Sequence, residues 1–103
     1  MMEVKRYPVY CSHVWEVLAV INCLGPFMER RQARGENSNL DLWLVGFLEK
    51  LELLACVMTK GGKDGIVYLR KEDRDLVEKI ANYCKVNAVL KEKGVEIHEY
   101  TDN

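Results

Sequence analysis

The stretch MTKGGKDGIVYL, residues 58–69, decides how the second half of this chain is folded. It places three glycines, two lysines and an aspartate between two apolar segments. Glycine and the Asp-Gly pair tolerate positive φ, so we expect a tight reversal of the backbone here. Two structures meet that requirement: a β-hairpin whose strands are 53–59 and 65–69, or a helix that runs to Thr59 and ends at Gly61.

The flanking residues support each alternative in part. The helix formers in EKLELLA, residues 49–55, favour the long helix. The sequence GIVYL is typical of a short strand, and a strand on each side of KGGKDG makes a hairpin. We favour the hairpin. A phosphate-binding loop is excluded, because the glycines lack the required spacing and an apolar strand follows instead of a helix.

The first third of the chain predicts one strand and two helices. EVKRYPVY, residues 3–10, contains Pro8 and therefore suits an edge strand or an extended arm. Apolar residues then recur at helical spacing over 13–24. Gly25 and Pro26 are expected to end this helix and to start a short basic helix over 26–34, which Gly35 closes.

The middle of the chain predicts a third helix after the turn GENSN. Ser38 and Asp41 have the spacing of a capping box at its start. One side of the helix carries Leu40, Leu44, Phe47, Leu48 and Leu51, with Trp43 beside them. Its outward face also contains Leu42 and Val45, so the helix is apolar nearly all round. That pattern is typical of burial or of a protein partner.

The last third predicts a helix over 72–93 that ends at Gly94, followed by a short strand in VEIHEY, residues 95–100. The helix has a 4-3-4-3 spacing at Leu76, Ile80, Tyr83, Asn87 and Leu90. Two such heptads fit a dimerising pair of helices in which a buried Asn87 sets the register. They fit equally well an ordinary amphipathic helix packed on the domain's own core.

Composition indicates one small domain over residues 1–103. The chain is 49% hydrophobic and 30% charged, with a net charge of −1. Its uninterrupted apolar runs are far shorter than the roughly 20 residues of a membrane span. No signal peptide is recognisable, so we expect a cytoplasmic protein that is not in a membrane.

The reactive residue types suggest no enzyme. None of the four cysteines forms a C-x-x-C pair, and His13 and His98 are far apart, so we expect no metal site and no cofactor. Cys23, Cys56 and Cys84 lie in apolar contexts and are expected to be small core residues. No carboxylate pair has a recognisable catalytic setting, and we predict no catalytic residue.

Basic charge is concentrated in two places despite the slightly negative total. One cluster comprises Arg30, Arg31 and Arg34. The other lies in residues 60–71, where Lys60, Lys63 and Arg70 are prominent. These six residues carry the local excess of positive charge.

The order of the elements resembles winged helix-turn-helix domains over residues 12–71. The three helices would be SHVWEVLAVINCL, FMERRQARG and SNLDLWLVGFLEKLE, and KGGKDGIVYLR is similar to the family's β-hairpin, or wing. The resemblance implies a helix-rich α+β domain with a short antiparallel hairpin that binds double-stranded DNA as a transcriptional regulator. The third helix would enter the major groove, and the six basic residues of the two clusters would be the nucleic-acid contacts, with Lys60 and Lys63 on phosphates. This helix lacks the polar side chains that read bases, and Asp41 would repel phosphate.

A second comparison is with endonucleases, because LWLVGFLEK resembles the LAGLIDADG motif. Leu51 and Glu52 stand where that motif has its acid and glycine, so the metal-binding acid is displaced or lost. The main alternative to DNA binding is a homodimeric module that binds a protein or peptide. Its partner-binding candidates are Trp43 and the heptad residues Leu76, Ile80, Tyr83, Asn87 and Leu90. DNA binding requires the two basic clusters to share one face, whereas a protein partner requires an exposed apolar surface.

Overall fold

The computed structural model describes residues 4–82, 87 and 90–95. The elements in chain order are strand β1 (Tyr7–Tyr10), helix α1 (Val14–Ala33), helix α2 (Asn39–Lys60), strand β2 (Ile66–Leu69) and helix α3 (Lys71–Ala81). Single 3-10 turns at Cys11–His13 and Lys63–Gly65 lead into α1 and β2. The predicted class, a helix-rich α+β domain, is confirmed, with β1 and β2 forming a two-stranded antiparallel sheet.

Helix α2 settles the ambiguity of residues 53–59, and the predicted hairpin is wrong. The helix continues to Lys60, and Leu54, Ala55 and Met58 extend its buried face by helical steps. Strand β2 pairs with β1 instead, in the register Tyr7↔Leu69 to Tyr10↔Ile66. Strand β2 is therefore paired with a strand from the N-terminal part of the chain and needs no strand in residues 53–59. Those residues stay helical because the helix buries Leu54, Ala55 and Met58 in the core.

Helix α1 passes through Gly25 and Pro26, so the predicted break there is wrong. Leu24 is fully buried just before this point, and Phe27 and Met28 pack on the core just after it. A continuous helix keeps all three on one face. Pro26 itself lies on the exposed side of the helix. The packing of Leu24, Phe27 and Met28 on the core offsets the free-energy cost of the N–H that proline lacks.

Helices α1 and α2 form an antiparallel αα-hairpin that carries most of the core, and the sheet and α3 close it. The fully or nearly buried side chains are Val9, Val17, Val20, Leu24, Leu44, Leu51, Leu54, Ala55, Met58, Val67, Leu69, Val77, Ile80, Leu90 and Val95. Lys50 Nζ lies 2.8 Å from Asp73 Oδ1 and ties α3 to α2. The two groups lack the alignment of a hydrogen bond, so the contact is an ion pair.

The predicted helix ends at two glycines are confirmed. Gly35 has φ +74°, and its N–H donates to Gln32 O at 2.9 Å. Gly94 has φ +80°, and its N–H donates to Lys91 O at 3.0 Å. In both places the next N–H also reaches back, to Arg31 O and to Leu90 O, which is the Schellman pattern.

The predicted continuous helix over 72–93 is wrong, because α3 ends at Ala81 and Asn82 has φ −103° and ψ 85°. The chain is helical again at 87 and 90–92. Residues 96–100 of the predicted C-terminal strand lie outside the described residues. The helical stretch Cys11–Ala33 is long and apolar enough to cross a membrane, a criterion that core helices of soluble proteins also meet.

Candidate functional site

Two of the three arginines of the predicted cluster, Arg31 and Arg34, form local ion pairs at the turn between α1 and α2. The Arg31 guanidinium donates two hydrogen bonds to the Asp41 carboxylate, one from Nε to Oδ1 and one from Nη2 to Oδ2 at 3.0 Å. Its Nη2 also donates to Ser38 Oγ at 3.2 Å. Arg34 pairs with Glu36 at 2.9 Å, and that carboxylate lies 3.5 Å from Arg31. Arg31 and Arg34 therefore fix the helix–helix turn, and their charge is largely neutralised.

The same turn contains the predicted capping box. The Ser38 N–H and hydroxyl both donate to Asp41 Oδ2 at 2.7 Å. The hydrogen bond from Arg31, followed by those from Ser38, holds the pKa of Asp41 well below its usual range. The bond to Asp41 likewise raises the pKa of Arg31. Asp41 therefore has a structural role at the start of α2.

The lysines at 60 and 63 lie at the opposite end of the helical hairpin. Lys60 is the last residue of α2, while Asp41, which holds Arg31, lies in its first turn. At 1.5 Å per residue the two points are about 28 Å apart along the axis. The structure thus separates the two basic clusters that a single DNA-binding face would have to combine.

The loop around Lys63 is a helix cap followed by a tight turn. Gly61 has φ +74° and ψ 163°, a conformation essentially restricted to glycine, and its N–H donates to Met58 O at 3.1 Å. A Cβ on Gly62 would lie 1.8 Å from Ile66 O. Asp64 has φ +61°, and Gly65 N–H donates to Gly62 O at 3.3 Å. The glycines thus allow the chain to turn sharply from the end of α2 into β2. The segment before this turn is helical, so the turn is not the tip of a β-hairpin.

Trp43, a predicted partner-binding residue, is engaged inside the chain. Its ring stacks on Phe47 with 4.9 Å between centroids and an interplanar angle of 10°. Lys93 Nζ lies 5.5 Å from the ring centroid. Both aromatic rings are half-buried against the core. Trp43 therefore contributes mainly to packing between α2 and the C-terminal segment.

The heptad positions also face inward where they are described. Ile80 and Leu90 are fully buried, and Leu76 packs against the same core. Asn87 is half-buried in a helical stretch, and Tyr83 lies outside the described residues. Ile80 and Leu90 therefore pack on the domain's own core, as the second alternative predicted. Their side chains are not accessible to a partner.

An apolar strip, interrupted by the exposed Glu49, lies on the outer face of α2, opposite its buried face. It is formed by Leu42, Val45, Leu53 and Val57, of which Leu42 is 68% and Leu53 62% exposed. Their spacing follows helical steps over about 22 Å, and the exposed thiol of Cys56 lies within the strip. The prediction that Cys56 is a buried core residue is therefore wrong. We call these four residues the α2 strip.

A second exposed surface is the outer face of the sheet, which sequence reasoning missed. Val9, Val67 and Leu69 point into the core, so alternation places Pro8, Tyr10 and Tyr68 outside. Tyr10 is 65% and Tyr68 62% exposed. The alternation was present in PVY, residues 8–10, and in IVY, residues 66–68, but these side chains form one surface only once β1 is known to pair with β2.

The described residues contain no group of three His, Cys, Asp or Glu side chains that could hold a metal ion. Comparisons of the chain with family models, with characterised proteins and with solved structures give no significant match. The candidate surfaces therefore rest on the chain's own geometry.

Proposed function

We propose that this protein is a non-enzymatic interaction module that forms a homodimer through the α2 strip. The observation that carries the proposal is that α2 is apolar on two opposite faces. One face fills the core with Leu44, Leu51 and Leu54, and the other exposes Leu42 and Leu53 to more than half of their surface. Exposed apolar surface of this kind marks protein interfaces.

The strip suits a second copy of the chain. Its apolar side chains run along one helix, and the carboxylate of Glu49, which stands between Val45 and Leu53, is exposed and can stay in water at the edge of an interface. A partner must offer a similarly apolar surface, and the same helix of another copy does so. Because one helix pair is a small interface, we expect a dissociation constant in the micromolar range.

The winged-helix arrangement for duplex DNA is less well supported. No strand precedes Lys60 within α2, Arg31 and Arg34 are neutralised by acids, and the basic ends lie about 28 Å apart. The face of α2 that would enter a major groove is the apolar strip, which offers no donors to base edges.

Sedimentation velocity across about 5 to 200 μM tests the proposal. We expect a monomer–dimer equilibrium that Leu53→Lys abolishes, because a lysine within the strip cannot be desolvated in the interface. Tyr68→Lys is the matched control, since Tyr68 is as exposed as Leu53 but lies on the sheet. A monomer at every concentration, or equal loss in both variants, would refute self-association through α2.

A further inference from the structure

We infer that the outer face of the sheet binds single-stranded nucleic acid. Pairing places Tyr68 opposite Pro8 and Tyr10 opposite Ile66, so the two tyrosines are diagonal neighbours on one face. Diagonal neighbours of this kind are about 7–8 Å apart. Two exposed aromatic rings on a rigid sheet form a platform on which successive bases can stack.

A shallow pocket lies beside one of the rings. It is lined by Pro8, Val9, Tyr10 and Ile66 and has a volume of about 220 Å³. Its lining is apolar apart from the tyrosine hydroxyl and backbone groups. The His13 ring meets the Tyr10 ring edge-on at 6.2 Å between centroids and buttresses it from the side. The pocket therefore suits the edge of a planar ring stacked on Tyr10.

Two unpaired cations adjoin the platform at its other end. Arg6 directly precedes β1 and Arg70 directly follows β2, so the strand register brings them opposite each other beyond Tyr7 and Leu69. Both are exposed, and neither makes an ion pair with any residue that the structure describes. Arg31, Arg34 and Arg74, by contrast, are all held by acids. Guanidinium groups left free beside aromatic faces complement a phosphate backbone.

The combination selects a single strand over a duplex. Stacking on Tyr10 and Tyr68 needs exposed base faces, which a duplex hides within its own stack. Arg6 and Arg70 would contact the phosphates that flank the stacked bases. In the turn that leads into β2, the negative charge of Asp64 is balanced by the positive charge of Lys63. With two stacked bases we expect weak, sequence-tolerant binding.

The test is fluorescence anisotropy with labelled ten-nucleotide oligo(dT) and oligo(U) and a duplex of the same length, at about 20 to 200 mM salt. We expect micromolar binding of one or both single strands and weaker binding of the duplex. Tyr10→Thr and Tyr68→Thr, which keep β propensity but remove the ring, should each weaken binding about tenfold. Arg6→Gln and Arg70→Gln should each reduce the salt slope by about 0.7.

Two matched controls lie on α1, outside the sheet. Trp15→Thr removes an aromatic that is 73% exposed on α1, and Arg30→Gln removes an exposed arginine at the far end of α1; both should bind as the parent does. Leu53→Lys should also leave binding unchanged, which separates this site from the α2 strip. Absence of single-strand binding at 20 mM salt, equal affinity for the duplex, or equal losses in the controls would overturn the inference. If one tyrosine variant does not fold, the other strand's variant decides.

Discussion

Replacing Gly62 with alanine should destabilise the fold strongly, although Gly62 is an exposed loop residue with ordinary extended φ. The new Cβ would lie 1.8 Å from Ile66 O and 2.8 Å from Ile66 C. To reach even a 3.0 Å contact, the Cβ and the carbonyl oxygen must separate by about 1.2 Å. Both partners are backbone-fixed, because Gly62 follows the end of α2 and Ile66 begins β2.

The magnitude follows from what has to move. Overpacking that shifts backbone costs typically 1–3 kcal/mol, and this displacement belongs at the upper end, so we expect a loss of about 3 kcal/mol in the free energy of unfolding. For a domain of this size, that corresponds to a fall of roughly 12–24 °C in Tm. Thermal and urea unfolding followed by far-ultraviolet circular dichroism would measure it.

Gly46→Ala is the matched control. Gly46 lies inside α2, is exposed, and has nothing within 4 Å of an added Cβ. The same substitution there should stabilise the helix by about 0.5–1 kcal/mol, since alanine restricts the unfolded chain and favours the helix. Measurement at about 0.5 μM, below the range proposed for self-association, keeps dimerisation out of the comparison. A Gly62→Ala variant within about 0.5 kcal/mol of the parent would falsify the close approach of the loop to β2.

Three further predictions test the helices and the turn between them. Leu51→Ala should lower the free energy of unfolding by about 2–5 kcal/mol, because Leu51 is fully buried. Leu53→Ala, at a residue that is 62% exposed, should change it by less than about 0.5 kcal/mol in urea unfolding of the monomer. Similar losses in both variants would contradict the assignment of one buried and one exposed face to α2. Pro26→Ala should raise Tm, because it restores an N–H to the interior of α1 on its exposed side, while a lower Tm would support a helix that begins at Pro26. The folded-state pKa of Asp41 lies below its ordinary value of 3.8, so its ionised form stabilises the fold above about pH 4 and this contribution is lost as the pH falls further. Thermal unfolding between pH 2 and 5 should therefore show a weaker acid dependence in Asp41→Asn than in the parent, and identical profiles would show that Asp41 does not contribute.

Several local features could be predicted because they depend on neighbours in sequence. Gly35 and Gly94 end helices, since only a residue that accepts positive φ can close a Schellman turn at no steric cost. Ser38 and Asp41 start α2 because three-residue spacing brings the carboxylate back to the Ser38 N–H. The strand in residues 66–69 and the extended segment before residue 10 follow from β-branched and aromatic residues in alternation.

The candidate surfaces could be predicted only in part. The apolar outer face of α2 was visible as a helix without a polar side. The sheet platform was not, because Tyr10 and Tyr68 are 58 positions apart and meet only through strand pairing. The arginine cluster was recognised as a set of charges, but its neutralisation by Asp41 and Glu36 depends on how the turn folds back.

The sequence by itself determined the positions of the turns, the helix caps and the apolar faces, all of which are set within a few residues. Only the tertiary structure decided whether residues 53–59 are strand or helix and whether α1 survives Pro26. Local preferences were nearly balanced at residues 53–59, whereas at Pro26 they favoured a break. In both places burial of a few more apolar side chains against a distant element outweighed the local preference. The same long-range packing fixed β1 as the partner of β2, and so determined which side chains are left on the surface to meet other molecules.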